Sequence, residues 1–246
     1  MNKNFYFFCA LPRSGSTLLS SLINQSDQIK VSANSILPEI MHELILLKTN
    51  HIFLNFPYHT GIDNIVSNSF NNYYSNVNVK NILDKAPWGT PFNLEMLKNI
   101  FINRKFIILV RPVLECLASF IKIEQPQNIE ARCDELMDQE GIIGKNIWSI
   151  KNIINQNENY IKITYDDLVT DTKNQINKIF NYLNIEELNL NVNKISEYSF
   201  DNVSYEDSNT VKDLHTIRFD KIKKNNYKIE KYLSEKIIKK FKHIHI

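Results

Sequence analysis

Small polar residues and one arginine follow the first apolar run of the chain. The run Phe5–Ala10 predicts a buried strand, and the apolar residues from position 17 to position 23 recur at helical spacing. The backbone N–H groups of a loop between a strand and a helix converge at the helix N-terminus, where they bind phosphate. The candidate anion-binding residues of this loop are Pro12, Arg13, Ser14, Gly15, Ser16, Thr17 and Leu18.

A nucleotide kinase is one alternative for this loop. Kinases of this type need the pattern GxxxxGK[ST]. Aligned on Gly15, the chain has Ala10 in place of the first glycine and Ser16 in place of the lysine. The kinase alternative therefore needs a degenerate loop, and it predicts ATP binding that depends on Mg²⁺. A plain helix cap is the other alternative, but a cap needs neither Arg13 nor so many small polar residues.

A second candidate anion site follows the most apolar segment of the chain. Lys105–Val110 predicts a buried strand, Arg111 comes directly after it, and Pro112 stands where the next helix would begin. At about 3.6 residues per helical turn, Ser119 faces back to the same end of the sheet. One anion can then contact both Arg111 and Ser119. The alternatives are an arginine that pairs with a carboxylate and a serine that only packs.

Strand and helix patterns alternate along the chain, which predicts right-handed crossovers and a parallel sheet covered by helices on both faces. In such α/β folds, ligands bind beyond the carboxyl ends of the strands. A long polar loop is expected over residues 201–226, and an amphipathic C-terminal helix over Ile229–Phe241. The predicted strands are Phe5–Ala10, Ile29–Ser32, Val79–Leu83, Lys105–Val110 and Tyr160–Thr164.

The composition excludes several classes of protein. Hydrophobic residues make up 43% and charged residues 23% of the 246 positions, which is typical of a globular chain, and we expect one domain over residues 1–246. The net charge of +2 gives no general attraction for polyanions, so no nucleic-acid partner is expected. No segment approaches the roughly 20 apolar residues of a membrane span. Three cysteines without a CxxC pair favour a reducing cytoplasm.

The two candidate anion sites together resemble those of a known family. The PRSGSTLL segment after an apolar strand resembles the 5′-phosphosulfate loop of sulfotransferases that use 3′-phosphoadenosine 5′-phosphosulfate (PAPS), and Arg111 with Ser119 resembles their 3′-phosphate site. The resemblance implies a P-loop-type three-layer α/β sandwich with a central parallel sheet. It also implies an enzyme that moves a sulfuryl group from PAPS to a hydroxyl acceptor and releases PAP. No metal is implied, and the acceptor is not identified.

Three further segments are similar to parts of the same family. Asp84–Trp88 resembles the N-K-x-P-F/W turn of tyrosylprotein and related sulfotransferases, which implies that Lys85 points at the sulfuryl group. Residues 163–168 resemble the segment that places a tyrosine, here Tyr165, near the adenosine. The stretch Leu214–Arg218 resembles a late basic segment that closes over PAPS, which makes Arg218 a candidate donor contact.

The general base is where the chain departs from the family pattern. Tyrosylprotein sulfotransferases have a glutamate after the second strand, whereas Val31–Ser35 contains no carboxylate. A non-catalytic PAP or nucleotide-binding module is therefore an alternative. The candidates for a base are Glu39 and His42, expected on one face of the next helix, with His59 and His215 as further possibilities.

Overall fold

The computed structural model describes residues 3–186, 189–192, 195–209, 214–217, 222–225 and 227–246. In this part of the chain, five strands form one sheet, in the order β2-β3-β1-β4-β5, and every pairing is parallel. This confirms the predicted α/β architecture. The strands are β1 Asn4–Ala10, β2 Ile29–Asn34, β3 Asn81–Lys85, β4 Phe106–Val110 and β5 Tyr160–Thr164.

Helices fill the connections between the strands. Short 3₁₀ turns occur at Leu47–Thr49, Asp207–Asn209 and Ile229–Lys231. Over the described ranges, no helix is both long enough and apolar enough to cross a membrane. The α-helices are α1 Ser16–Ile23, α2 Leu37–Leu46, α3 His51–Asn55, α4 His59–Tyr73, α5 Pro91–Ile100, α6 Val113–Glu124, α7 Ile129–Met137, α8 Ile142–Asn155, α9 Tyr165–Thr170, α10 Thr172–Leu183 and α11 Glu235–Phe241.

The sheet is buried on both faces. Neighbouring side chains of β1 point to opposite sides. On one side, the ring of Phe7 lies 5.4 Å from the ring of Phe106 and 5.6 Å from that of Trp88. On the other side, Phe8 packs in the cluster that contains the apolar faces of α1 and α10. Because each buried side chain of this size stabilises the fold by roughly 1.5–3 kcal/mol, the helices are held on both faces, which gives the predicted three layers.

The sequence prediction for the third strand is wrong at both ends. Val79 lies in a turn, where its amide donates to the carbonyl of Val77 at 3.0 Å, and the strand runs on through Asp84 and Lys85. The predicted strand ended at Leu83, directly before the acidic Asp84. Asp84 is nevertheless fully buried, because its carboxylate accepts hydrogen bonds from the side chains of Tyr74 and Trp88.

The predicted C-terminal helix is divided. A 3₁₀ turn covers Ile229–Lys231, and the α-helix begins only at Glu235. Ser234 has extended backbone angles and its hydroxyl accepts a hydrogen bond from the amide of Ile237 at 3.4 Å. Ser234 is therefore the N-cap of α11, and it prevents one continuous helix.

Candidate active site

The loop from β1 to α1 makes a tight turn at the carboxyl end of the central strand. The amide of Leu11 donates to the carbonyl of Leu109 on β4 at 3.0 Å. The fully buried hydroxyl of Ser14 donates back to the carbonyl of Leu11 at 2.5 Å. Arg13 has φ of +64° and Gly15 has φ of +91°, both in the left-handed region. The two residues reverse the chain and aim it into α1.

Gly15 allows an aromatic ring to lie directly on the loop. A Cβ atom at this position would be 3.0 Å from Cδ2 of Tyr165. Any other residue would meet both this contact and the cost of a positive φ. Gly15 is also the N-cap of α1, so the ring of Tyr165 lies beside the N-terminus of that helix.

Arg13 connects the loop to two other parts of the chain. Its Nε donates to the hydroxyl of Ser119 on α6 at 3.1 Å. Its Nη1 donates to the backbone carbonyl of Leu214. The arginine therefore lies between α6 and the segment 214–217.

The guanidinium of Arg111 contacts one carboxylate, two backbone carbonyls and one aromatic ring. Its Nη2 lies 2.7 Å from a carboxylate oxygen of Glu115 and donates to the carbonyl of Asn225, also at 2.7 Å. Its Nη1 donates to the carbonyl of Arg13 at 3.2 Å, and the guanidinium lies 3.9 Å from the centre of the Tyr165 ring. The carboxylate pair that the sequence left open as an alternative is therefore present, at the mouth of the same site.

Ser119 and two tyrosines complete this part of the site. The hydroxyl of Ser119 is buried, at 1% exposure, and it accepts from the Tyr227 hydroxyl at 3.1 Å as well as from Arg13. The hydroxyl of Tyr165 accepts from the amide of Asn225 at 3.0 Å. Asn225 and Tyr227 are thus held against both predicted anion sites.

Lys85 lies at the carboxyl end of β3, next to the central strand. Its amide donates to the hydroxyl of Ser32 at 2.9 Å, and its Nζ lies 3.5 Å from the hydroxyl of Tyr205. Burial lowers the pKa of Lys85 to about 8, and the Arg13 cation lowers it in the same direction. The two cations are therefore close enough to repel each other, and a bound anion would relieve this repulsion.

The turn after Lys85 is anchored in the core. Trp88 is fully buried, and its Nε1 donates to a carboxylate oxygen of Asp84 at 2.8 Å. Burial raises the pKa of Asp84 to about 6, against the hydrogen bonds from Tyr74, Ser35 and Trp88. Trp88 is accordingly a core residue that fixes the turn.

One cavity of about 510 Å³ brings most of the sequence-predicted residues together at the carboxyl ends of the strands. Ser14 is an exception, because its side chain is turned into the protein. The cavity is also lined by Asn34, Ser35 and Glu39 from the β2–α2 connection and by Glu140, Ile142, Lys145 and Asn146 around the start of α8. The predicted residues that line the cavity are Pro12, Arg13, Gly15, Ser16, Thr17, Leu18, Glu39, Lys85, Arg111, Ser119 and Tyr165.

The candidate bases separate in the structure. Glu39 and His42 both lie on α2, but His42 packs edge-on against Phe92, with ring centres 4.8 Å apart. His59 packs in the same way on a phenylalanine of α3. His215 lines the cavity. Arg218 lies outside the described residues.

Several residues that line the cavity or contact its lining were not found from the sequence. They come from the late polar segment, for which the pattern predicted only a long functional loop. Their positions depend on contacts with Lys85, Arg111 and Ser119, and no periodicity marks them. These residues are Tyr205, Asp207, Asn225 and Tyr227.

Comparison with known proteins agrees with this geometry. The model of the "Sulfotransferase family" matches residues 6–189, so the chain belongs to the sulfotransferase family. No curated protein matches the chain significantly by sequence.

Solved structures show the same fold. The sulfotransferase domain from the curacin biosynthetic pathway has a TM-score of 0.61 and 16% identity, over 100% of this chain and 92% of that one. The sulfotransferase domain of the Synechococcus PCC 7002 olefin synthase has a TM-score of 0.56 and 19% identity, over 87% and 85% of the two chains. A mouse sulfotransferase solved with PAP has a TM-score of 0.50 and 13% identity, over 76% and 61%.

Proposed function

We propose that this sulfotransferase uses PAPS as its donor, transfers the sulfuryl group to a hydroxyl acceptor and releases PAP. The observation that carries the proposal is the grouping of Arg13, Lys85 and Arg111 around one cavity at the carboxyl ends of a parallel sheet. The volume of about 510 Å³ suits a nucleotide, since ligand pockets measure roughly 300–1,000 Å³.

The loop from β1 to α1 is the proposed site of the 5′-phosphosulfate. The N-terminus of α1 presents backbone N–H groups that favour an anion. Arg13 and Lys85 stabilise the negative charge that accumulates on the bridging oxygen as PAP leaves, as in phosphoryl transfer. Ser14 supports this site indirectly, because its hydroxyl closes the turn at Leu11.

Arg111 and Ser119 are the proposed site of the 3′-phosphate. The two arginines also hold the late segment against the site, because Arg13 donates to the carbonyl of Leu214 and Arg111 donates to that of Asn225. Tyr165 lies between Gly15 and Arg111, beside the proposed position of the adenosine.

The part of the cavity lined by the β2–α2 connection and the start of α8 is the proposed acceptor side. It combines the exposed carboxylate of Glu39 with Lys145 and with the exposed apolar side chain of Ile142. A mixed wall of this kind suits an acceptor with a polar hydroxyl end and an apolar body. His42 does not take part in this proposal, because it packs against Phe92.

A non-catalytic module that binds PAP is the second candidate function. The lack of a carboxylate between Val31 and Ser35 favours it. Arg13 and Lys85 argue against it, since a protein that only binds PAP has no need for two cations at the sulfuryl position. Binding of PAP without turnover of PAPS, over a broad panel of hydroxyl acceptors, would favour the module.

Calorimetric titration with PAP, AMP and ATP, each with and without Mg²⁺, tests the donor site. We expect metal-independent preference for PAP, and we expect EDTA to leave transferase activity unchanged. Because a hydrogen bond to a charged group contributes about 1.5–3 kcal/mol, Arg111→Ala should weaken PAP binding by roughly one to two orders of magnitude while AMP binding changes little.

Arg132→Ala is the matched control for this titration. Arg132 also pairs with carboxylates, at Glu124 and Glu135, but it lies on α7. Its loss should leave PAP binding unchanged. Preference for ATP in the presence of Mg²⁺ would contradict the assignment of PAPS as the donor and would favour the nucleotide kinase alternative.

A further inference from the structure

We infer that His215 is the general base of the sulfuryl transfer and that Asp207 and Tyr205 position it. The assignment rests on the proposed function. It is carried by a contact that the sequence did not reveal: Nδ1 of His215 lies 2.6 Å from one carboxylate oxygen of Asp207, and the other oxygen accepts from the His215 amide at 2.7 Å. One carboxylate thus holds both the backbone and the ring of the histidine.

The carboxylate selects the tautomer of the ring. A hydrogen bond from Nδ1–H of His215 to Asp207 leaves Nε2 without a proton, so that Nε2 carries the lone pair that can accept one. The serine hydrolase triad uses a buried aspartate in the same role, to hold an imidazole in its correct tautomer. Asp207 is therefore a positioning residue for His215.

A stacked tyrosine fixes the plane of the imidazole. The rings of His215 and Tyr205 lie 3.7 Å apart between centres, with an angle of 5° between their planes. The side chain of His215 is 17% exposed and that of Asp207 is 15% exposed. The ring is thus constrained by a hydrogen bond in its plane and by a contact on its face, and it remains accessible from the cavity.

His215 lies close to the two cations, where a base can take the proton of an acceptor hydroxyl that attacks the sulfuryl group. The imidazole stacks on the ring of Tyr205, and the hydroxyl of that tyrosine lies 3.5 Å from Nζ of Lys85. The residue before His215, Leu214, supplies the carbonyl that accepts from Arg13. The histidine therefore lines the cavity next to the two cations that are proposed to bind the sulfuryl group.

Burial and the two nearby cations favour the neutral form of the His215 ring. Burial lowers the pKa of His215 below 6.5, and the cations Lys85 and Arg13 lower it as well, while Asp207 raises it. Tyr205 contributes its ring face and no charge. At about pH 7 the imidazole is therefore mainly unprotonated, which is the form that a base requires.

The proposed step conserves atoms and charge. Nε2 of His215 takes the proton of the acceptor hydroxyl while the acceptor oxygen forms its bond to sulfur. The bond between sulfur and the bridging oxygen of PAPS breaks, and its electron pair goes to the 5′-phosphate of PAP. The products are the sulfate ester, PAP and a protonated His215, which then gives its proton to solvent. Glu39, the carboxylate on the same cavity, is exposed on α2 and lacks this arrangement of fixed contacts.

NMR titration of the imidazole C2–H signals in the whole protein tests the dyad without any turnover. We expect a His215 pKa below 6.5 that falls further in Asp207→Asn, because the carboxylate raises it, and that rises in Lys85→Met. The other histidines of the chain serve as references in the same spectra. A His215 pKa that does not change in Asp207→Asn would overturn the dyad.

Steady-state release of PAP from PAPS tests the base itself, with water, 2-naphthol and benzyl alcohol as acceptors. Because a general base contributes about 10²–10⁴-fold, His215→Gln should lower kcat by that factor, less for the acidic naphthol than for the alcohol, with PAP affinity unchanged. Asp207→Asn should lower kcat and move the acid limb of the pH profile to lower pH. His51→Gln, an exposed histidine on α3, is the control.

The outcomes separate this assignment from the proposed function. Wild-type protein that binds PAP, with an unchanged kcat in His215→Gln, would overturn the base alone. Wild-type protein that does not bind PAP would overturn the donor site and the base with it. Binding of PAP without any turnover of PAPS would support the module and overturn the base. Partial rescue of His215→Ala by added imidazole would support the assignment.

Discussion

Nε of Arg13 donates a hydrogen bond to the hydroxyl of Ser119 at 3.1 Å, across 106 positions of the sequence. Arg13 belongs to the proposed phosphosulfate loop, and Ser119 belongs to the proposed 3′-phosphate site. The two sites are thus joined by a direct contact between side chains. Substitutions at the two positions should consequently affect both sites, but to different extents.

Loss of Arg13 should act mainly on the chemical step. A preorganised donor at a developing negative charge typically contributes about 2.7–4 kcal/mol, so Arg13→Ala should lower kcat by roughly two to three orders of magnitude. Ser119→Ala is the informative comparison, because it removes the neighbour of Arg13 and keeps the cation. It should weaken PAP binding with a smaller loss of kcat. A near-normal kcat in Arg13→Ala would exclude Arg13 from the chemistry.

Gly15→Ala should disturb both stability and donor binding. The new Cβ would lie 3.0 Å from the ring of Tyr165 at a φ of +91°, and a positive φ costs a residue with a side chain about 1–2 kcal/mol. Gly61→Ala is the matched control, since Gly61 lies in α4 without a positive φ, and its Cβ would lie 2.8 Å from the exposed side chain of Tyr58, which can turn aside. Urea unfolding and PAP titration measure both effects. Equal stability losses in the two variants would contradict the account of the loop.

The sequence was sufficient for the residues that follow parallel strands. Arg13, Lys85 and Arg111 each lie at or just after the carboxyl end of a strand, and such ends meet at one edge of the sheet, so their common cavity follows from the fold. It was sufficient for Lys85 even though β3 ends two residues later than the pattern predicted. The pairing of Arg111 with Glu115 is also open to prediction, since residues four apart on a helix are neighbours.

The remainder of the site depends on contacts between distant segments. The hydrogen bond of His215 to Asp207 and that of Tyr227 to Ser119 require the path of a late polar segment with weak periodicity. The burial of Asp84 on β3 could not be predicted from the sequence either, because its partner Tyr74 comes from the end of helix α4. A charged residue in a strand pattern normally marks the end of the strand, and only the structure identifies the partners that make this burial possible.

Lys85 should take up a proton when PAP binds. Burial lowers the pKa of Lys85 to about 8, so near that pH about half of the amine is neutral, and a bound anion favours the charged form. Calorimetry in buffers of different ionisation enthalpy measures the uptake, which should be large near pH 8 and small one unit below. Lys85→Arg is the control, because a guanidinium stays charged throughout. The same uptake in Lys85→Arg would assign the proton to another group.

Asp84 should make the folded state less stable as the pH rises. Burial raises the pKa of Asp84 from 3.8 to about 6, so the folded state binds the proton more tightly than the unfolded state does. The stabilisation is complete below the unfolded pKa and is lost as the pH rises through the folded pKa. This difference in pKa changes the free energy of unfolding by an amount on the order of 3 kcal/mol over that pH range.

Asp84→Asn isolates that contribution. Asparagine stays neutral and its side-chain oxygen can still accept from Nε1 of Trp88, so the variant should gain stability relative to wild type between about pH 4 and pH 7, while the Lys85 turn keeps its place and PAP still binds. Urea unfolding at a series of pH values measures the difference. Asp134→Asn, which removes a half-exposed carboxylate paired with Lys240, should show no comparable gain. If Asp84→Asn kept the pH dependence of the wild type, the hydrogen bonds to the carboxylate, among them those from Tyr74 and Trp88, would fully compensate its burial, and its ionisation would contribute nothing to the stability of the fold.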